Sequence, residues 1–309
     1  MSKAAETIVN VDPLSEAYRH IHPTFRPVLF GSDEQRVAFV DQPRWIGYPR
    51  ATLALDTLKA LMDKPLQPRM PNLLVVGESN NGKSTLIARF VSLCGQGYVD
   101  ENADPVTPVI VAESPPYADE KGLYISILER FWAPYRATAP AAQLRYEVIH
   151  QLRNCKVRVL VLDEMHSLLS GTARQVRDIM NVLKLLCNAA GVSIVGVGTR
   201  EAVRALHTDP QHASRFTVLT LPLWELDEEF QKLLAGFECV LPLKRPSALA
   251  DAKTATLIHT ISGGNLGNVR ELLQACARDA IHKGEERITL KILESHRHMQ
   301  PTKGYRELT

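Results

Sequence analysis

Hydrophobic positions along the chain follow two regimes. From Asn72 to Leu221, short runs rich in Val, Ile and Leu alternate with longer stretches of helical spacing. The runs are Leu73 to Val76, Pro108 to Ala112, Val157 to Leu162, Ser193 to Val197 and Thr217 to Leu221. Strands so uniformly apolar belong to a parallel sheet covered on both faces, so the pattern predicts an α/β layer of five parallel strands with helices between them. The helical spacing is clearest from Arg174 to Ala190. There Val176, Ile179, Met180, Leu183, Leu186 and Cys187 form one stripe, Arg174, Arg177, Asp178 and Lys184 lie off it, and Gly191 marks the stop.

Beyond about residue 222 the strand pattern ends. Asp227 to Glu238, Ala252 to Ile261, Val269 to Ile281 and Thr289 to Ser295 carry helical spacing, which predicts a small all-helical lid whose boundary falls near Pro222 or Pro242. Ahead of the sheet, Ala51 to Met62 suits a helix that ends at Lys64-Pro65. Residues 1 to about 50 interleave Pro13, Pro23, Pro27, Pro43 and Pro49 with Tyr18, Phe25, Phe30, Phe39, Trp45 and Tyr48. Proline argues against one long helix and the aromatics against a free linker, so this segment reads as an arm that docks on a partner or a neighbouring subunit. The expected organisation is therefore an arm over 1–50, an α/β subdomain over 51–222, and a helical lid with its tail over 223–309.

The chemistry begins where the first predicted strand ends. Gly77-Glu78-Ser79-Asn80-Asn81-Gly82-Lys83-Ser84-Thr85 fits G-x-x-x-x-G-K-[ST] without a gap. Glycines let the backbone turn its N–H groups toward phosphate, Lys83 reaches the β/γ oxygens, and the Ser84 hydroxyl can ligate Mg²⁺. The flanks agree, with an apolar strand before the loop and helical spacing after it. A nucleoside triphosphate is the implied ligand, and its use is not stated by the loop.

Val157 to Leu162 is followed by Asp163-Glu164. A buried strand delivers its terminal carboxylates to the sheet edge that also carries the phosphate loop, so Asp163 can hold the Mg²⁺ shell and Glu164 can polarise an attacking water. Thr199, after Ser193 to Gly198, is a candidate γ-phosphate sensor and equally a helix N-cap, two compatible roles. Arg215 precedes an edge strand, where an arginine can project toward the nucleotide of the next subunit or lie solvated at the surface. Arg270, near the start of a lid helix, could reach the γ-phosphate or serve as a salt-bridged surface residue.

Composition narrows the class without choosing the function. With 45% hydrophobic and 23% charged residues among 309, the chain is globular, and a net charge of +2 permits nucleic-acid binding without requiring it. Five scattered cysteines without a C-x-x-C pair read as free thiols in a reducing cytoplasm, and no apolar run is long enough to span a membrane.

Taken together, the phosphate loop, acidic strand, Gly-Thr strand, Ser-Arg-Phe and Gly-x-x-Arg-Glu-Leu resemble the AAA+ P-loop ATPases. Within them, Trp45 to Ala51, the Asn80-Asn81 loop, Asp163 to Gly171, Gly198 to Ala202 and Leu241-Pro242-Leu243 are similar to TniB, the TnsC-like ATPase of Tn7-related transposons. The match spans roughly residues 40 to 285. It implies ATP and Mg²⁺ as ligands, rings or helical filaments on double-stranded DNA, a DDE-type transposase and a TniQ-type adaptor as partners, and disassembly on hydrolysis. It also implies Arg215 as a trans-acting finger, Arg270 as a second sensor, and Trp45 to Arg50, with Ile46, Tyr48 and Pro49, beside the adenine. By the same resemblance the region Glu113 to Arg153 includes the element facing DNA. Lys121, Arg174 and Arg177 are candidate phosphate contacts or ordinary solvated cations, and no set of residues suits base reading. His166 is the main departure, at a position where variation is expected to leave the chemistry alone. A helicase loader or replication-initiation ATPase, and a nucleotide-gated scaffold without hydrolysis, are the alternatives.

Overall fold

The computed structural model describes residues 16–207 and 213–299. These divide into two compact units. One holds Tyr48–Pro222, and the other combines the residues up to Gly47 with those from Leu223 onward. The expected arm and the expected lid thus share a unit. Residues 1–15 of the arm, residues 300–309 of the tail and the segment 208–212 lie outside the described residues.

In the first unit, strands β1 (Asn72–Gly77), β4 (Val109–Glu113), β5 (Val159–Asp163), β6 (Ser193–Gly198) and β7 (Phe216–Leu221) form one sheet in the order β4-β5-β6-β1-β7. Every pairing is parallel. All five strands therefore end at the same edge, and β1 lies between β6 and β7. A two-stranded antiparallel pair, β2 (Tyr98–Val99) with β3 (Pro105–Val106), is an addition the sequence pattern did not announce. The two-helix stretch between β4 and β5 comprises Glu120–Arg130 and Ala141–Asn154.

The apolar runs are buried as their composition requires, with β1 and β6 buried along their whole lengths. The helix Ala173–Ala190 buries the predicted stripe from Val176 to Cys187. Thr172 and Gln175 form a reciprocal capping box at its start, and Gly191 at φ 69° ends it in the left-handed region. Two glycines in β6 decide what covers the sheet next to β5. A Cβ on Gly196 would lie 2.0 Å from Met165 Sδ, and one on Gly198 would lie 3.2 Å from the His166 nitrogen. Only glycine at 196 leaves room for the short helix Met165–Leu168 to press on the strand, and that contact sets the position of the residues just after β5.

The second unit is helical, with Glu228–Glu238, Ala252–Ser262, Leu266–His282 and Leu290–Ser295. No strand occurs among its described residues. The helix Asp33–Asp41 packs against Leu266–His282. Arg36, fully buried, fixes this arrangement: its guanidinium donates to the Pro242 carbonyl at 2.8 and 3.2 Å and forms a two-pronged ion pair with Glu286. All five cysteines are free, and burial pushes the Cys276 thiol up to about 12. Among the described residues, no helix is long and apolar enough to cross a membrane.

The Arg36 pair gives the helical unit an acid-sensitive strut. Burial raises the Glu286 pKa, but the hydrogen bond and charge of Arg36, aided by Lys244, outweigh it and hold the carboxyl below its ordinary 4.5. A depressed folded pKa stabilises above the unfolded value and loses that contribution as pH falls through the folded one. Glu286→Gln should therefore cost about 2 kcal/mol at neutral pH by leaving the buried guanidinium with only the exposed Asp33 carboxylate, at 3.3 Å, as its ionic partner. The gap to wild type should close as the pH falls below about 4.5, in urea unfolding followed at successive pH values. A gap that stays constant over this range would contradict the assignment.

Candidate nucleotide site

The turn after β1 is shaped by its backbone first. A Cβ on Gly77 would stand 2.9 Å from the Leu221 carbonyl of β7, so glycine is what lets the two strand ends approach. Asn80 and Gly82 hold φ values of 59° and 82°, in the left-handed region these two residue types tolerate. Asn81 is 3% exposed and donates from Nδ2 to the carbonyls of Leu221 and Pro222, each at 3.0 Å. It ties the loop to the end of β7. The helix Lys83–Cys94 starts without a side-chain cap. Its first N–H groups and the positive end of its dipole are left to the loop, which is the arrangement that binds an anion.

Lys83 bends over this loop. Its Nζ donates to the carbonyls of Gly77 at 3.0 Å and Glu78 at 2.8 Å, and the residue is 8% exposed. Burial lowers the Lys83 pKa, against the opposing pull of Glu164, Asp163 and Glu78. Asp163 ends β5 in register with Glu113 of β4. One of its oxygens accepts from the Ser84 hydroxyl at 3.3 Å, and the other accepts from the Glu164 N–H at 2.9 Å. A hydroxyl beside a carboxylate fits Mg²⁺, which retains water and completes its octahedron with substrate phosphates instead of a protein cage. Among the described residues, no group of three or more His, Cys, Asp or Glu could hold a metal alone.

Glu164 stands at φ 53°, ψ 35°, a left-handed backbone that costs a non-glycine residue about 1 kcal/mol. The turn sends its carboxylate to the neighbourhood of His166, whose Nδ1 lies 3.2 Å from Glu164 Oε2. A cleft of about 420 Å³ opens alongside, lined by Val111, Glu113, Arg130, Asp163 and Glu164. Beyond β6, the Thr199 hydroxyl donates to the Glu201 carboxylate, a bond that lowers the Glu201 pKa. Arg200 Nε lies 3.3 Å from Glu78 Oε1, linking the end of β6 to the phosphate loop. The loop, Asp163, Glu164 and Thr199 thus gather at one sheet edge.

Arg215 is elsewhere. It directly precedes β7, whose first residue pairs with Asn72 while its last pairs with Gly77, so it stands at the opposite edge of the sheet from the loop. Its charge is felt by the Cys187 thiol, which burial pushes up and Arg215 pulls down. The thiol's own contacts are the Met70 carbonyl and Asn72, at the start of β1. Arg215 Nη1 is buried without a hydrogen-bond partner among the described residues.

The remaining expected residues are not gathered by one unit. Ile46 and Arg270 belong to the helical unit and line a cavity of about 30 Å³ with Phe237 and Leu241. Tyr48 and Pro49 open the sheet unit, with Pro49 starting the helix Pro49–Met62. Lys121 lies in the first turn of Glu120–Arg130 and is half-buried; Arg174 and Arg177 are exposed near the start of Ala173–Ala190. Sequence reasoning passed over Arg200, Glu201 and His166 as site residues. The first two followed Thr199 in the motif and carried charge, a signal that was present. His166 depends on the Glu164 backbone turn, which no local pattern gives.

The fold and this edge define a P-loop ATPase of the AAA+ class. Solved structures share the architecture at low identity. The Aeropyrum pernix ORC2 protein in ADPNP–ADP complexes aligns with TM-score 0.61 and 16% identity, covering 87% of this chain and 72% of that one. Cdc6p of Pyrobaculum aerophilum aligns with TM-score 0.60 and 16% identity over the same shares. Drosophila ORC bound to DNA aligns with TM-score 0.58 and 14% identity, covering 96% and 70%. No curated protein sequence matches. The family model for the bacterial TniB protein matches residues 36–226, and the chain belongs to that family.

Asn81 offers a direct check on the loop's construction. Asn81→Ala removes the side-chain bonds to the Leu221 and Pro222 carbonyls and should cost about 2 kcal/mol in urea unfolding. It should also weaken binding of a fluorescent ATP analogue, measured by anisotropy. An unchanged midpoint with unchanged affinity would mean that the clamp does not hold the loop.

Proposed function

We propose that this chain is a cytoplasmic, ATP-dependent, DNA-binding regulator of DNA transposition. It assembles with ATP on duplex DNA, marks the target for a DDE-type transposase with a TniQ-type adaptor, and disassembles on hydrolysis. Membership of the TniB family supports the biological setting. The observation that carries the mechanism is the placement of Arg215 at the sheet edge away from its own phosphate loop, one strand of six residues or about 20 Å distant. An arginine there cannot serve the loop of its own subunit, and it can serve that of the next.

Bound Mg·ATP would bring the electrophilic γ-phosphorus and neutralise charge on the oxygens. Ser84 and Asp163 would hold the metal, Lys83 and the uncapped helix start would hold the phosphates, and Glu164 would take a proton from the attacking water. Thr199 would sense the γ-phosphate on exchanging its bond to Glu201. Arg215 of the adjoining copy would complete the site, so the triphosphate stabilises an interface and its loss releases it. Lys121, Arg174 and Arg177 are the proposed phosphate contacts to DNA. Summed over many copies, modest contacts of this kind bind with steep salt dependence. Five free thiols suit a reducing compartment.

The likeness in fold to ORC2 and Cdc6p favours a second reading, a replication-initiation or helicase-loading ATPase. Pull-down partners separate the two, a hexameric helicase in one case and a transposase with its adaptor in the other. Phosphate release with and without duplex DNA separates both from a scaffold that does not hydrolyse.

Glu164→Gln should trap ATP-dependent assemblies on DNA, and Lys83→Ala should abolish them, as seen by electron microscopy. Mixing Arg215→Ala with Lys83→Ala chains should restore part of the turnover that each lacks, because an intact loop then meets an intact finger; each variant alone should lose about 10³-fold in rate. Equal assembly by Glu164→Gln and Lys83→Ala, or no recovery on mixing, would sink the shared-site mechanism.

A further inference from the structure

We propose that His166 is the positioning residue of the hydrolytic site, holding the Glu164 carboxylate by one oxygen so that the other faces the attacking water. This rests on the hydrolytic reading above and adds a residue to it. The two side chains are adjacent at 3.2 Å from Nδ1 to Oε2. Nδ1 is nonetheless buried and has no hydrogen-bond partner among the described residues, so the two groups lie close but outside hydrogen-bond geometry. A buried ring nitrogen with its bonding capacity unspent is costly, and the neighbouring group that can satisfy it is the half-exposed Glu164 carboxylate.

The anchoring of the two partners differs in a way that suits the role. His166 is carried by the helix Met165–Leu168, which the absence of side chains at Gly196 and Gly198 lets press on β6. Met165 is fully buried there. The imidazole is thus mounted on the sheet, while Glu164 sits in a left-handed turn whose backbone is held through its N–H to Asp163 and its carbonyl to Ser167, with the side chain half exposed. An anchored imidazole next to a half-exposed carboxylate is the arrangement by which a third group can orient a general base. The charges facing the pair are Asp163 and Glu164 from the end of β5, Lys83 from the loop, and Glu201 after β6; the Lys83 amine feels Glu164, and the Glu201 carboxyl feels His166. His166 thus adjoins the proposed base and is within electrostatic reach of Glu201, the carboxylate that accepts from the Thr199 hydroxyl.

The test is steady-state phosphate release with duplex DNA, together with binding of a non-hydrolysable ATP analogue. The comparison is wild type with His166→Ala, His166→Gln and His166→Asn. Asn places an amide N–H near the Nδ1 position, whereas Gln places it near Nε2. Ala and Gln should lower kcat about tenfold while KM and analogue affinity stay within about twofold, because an unoriented base loses part of the general-base contribution without disturbing the phosphate loop. Asn should return kcat to within about threefold of wild type. Turnover of His166→Ala at or above the wild-type level overturns the assignment alone. So do equal losses in all three variants, or losses matched by weaker analogue binding. Absence of phosphate release by the wild-type chain overturns the hydrolytic reading and this inference with it.

Discussion

The position of β1 inside the sheet, flanked by β6 and β7 with every strand parallel, is the constraint on which the rest depends. Parallel strands deliver their C-terminal ends to one edge, so loops far apart in sequence must meet there. The phosphate loop follows β1, the acidic pair ends β5 two strands away, and Thr199 follows the strand between them. No side chain had to travel to assemble this edge. The same geometry imposes the opposite fate on Arg215, since a residue that opens a strand stands a full strand length from one that closes it. A site that needs both ends needs two copies of the sheet.

Side-chain packing then refines what the sheet supplies. Gly77 admits the Leu221 carbonyl, Asn81 fastens the loop to β7, and Gly196 admits Met165. Each of these contacts acts by removing freedom from a neighbour: the loop cannot shift relative to β7, and the short helix after β5 cannot lift from β6. Where such contacts end, side chains are more exposed, as at Glu164, half exposed beyond its backbone bonds to Asp163 and Ser167. On the proposed reading this separates preorganised phosphate-binding groups from a base that can adjust to its water.

Much of this was legible in the sequence, and the limits are physical. The five strands could be read because burial on both faces leaves them without polar interruption, and the helix Ala173–Ala190 because its stripe of six apolar positions from Val176 to Cys187 lies opposite a solvated face. The phosphate loop is local, so its residues announce it. The two-residue strands β2 and β3 are too short to carry a period. The packing of the arm on the helical unit was hidden for another reason: Arg36 meets Glu286 across 250 positions, and an arginine in a polar-looking helix gives no sign that it is fully buried. His166 was set aside because its approach to Glu164 depends on a backbone turn at Glu164, and sequence spacing carries no φ angle.

The resting state of Lys83 bears on how tightly such a site can hold its ligand. Without a triphosphate the ammonium is already satisfied by the Gly77 and Glu78 carbonyls, at 3.0 and 2.8 Å. On the proposed reading, phosphate oxygens entering the loop replace those carbonyls as acceptors, and the loop must yield the bonds it has. The gain is therefore the difference between a charge-assisted bond to phosphate and two bonds to neutral carbonyls, and not the full strength of the new contact. Burial sharpens that difference, because it disfavours the Lys83 charge and the three nearby carboxylates, Glu164, Asp163 and Glu78, offset this only in part. An affinity set by such an exchange is moderate within one subunit. On the proposed shared-site reading the remainder comes from the neighbour's arginine, and nucleotide binding and assembly are then parts of a single equilibrium.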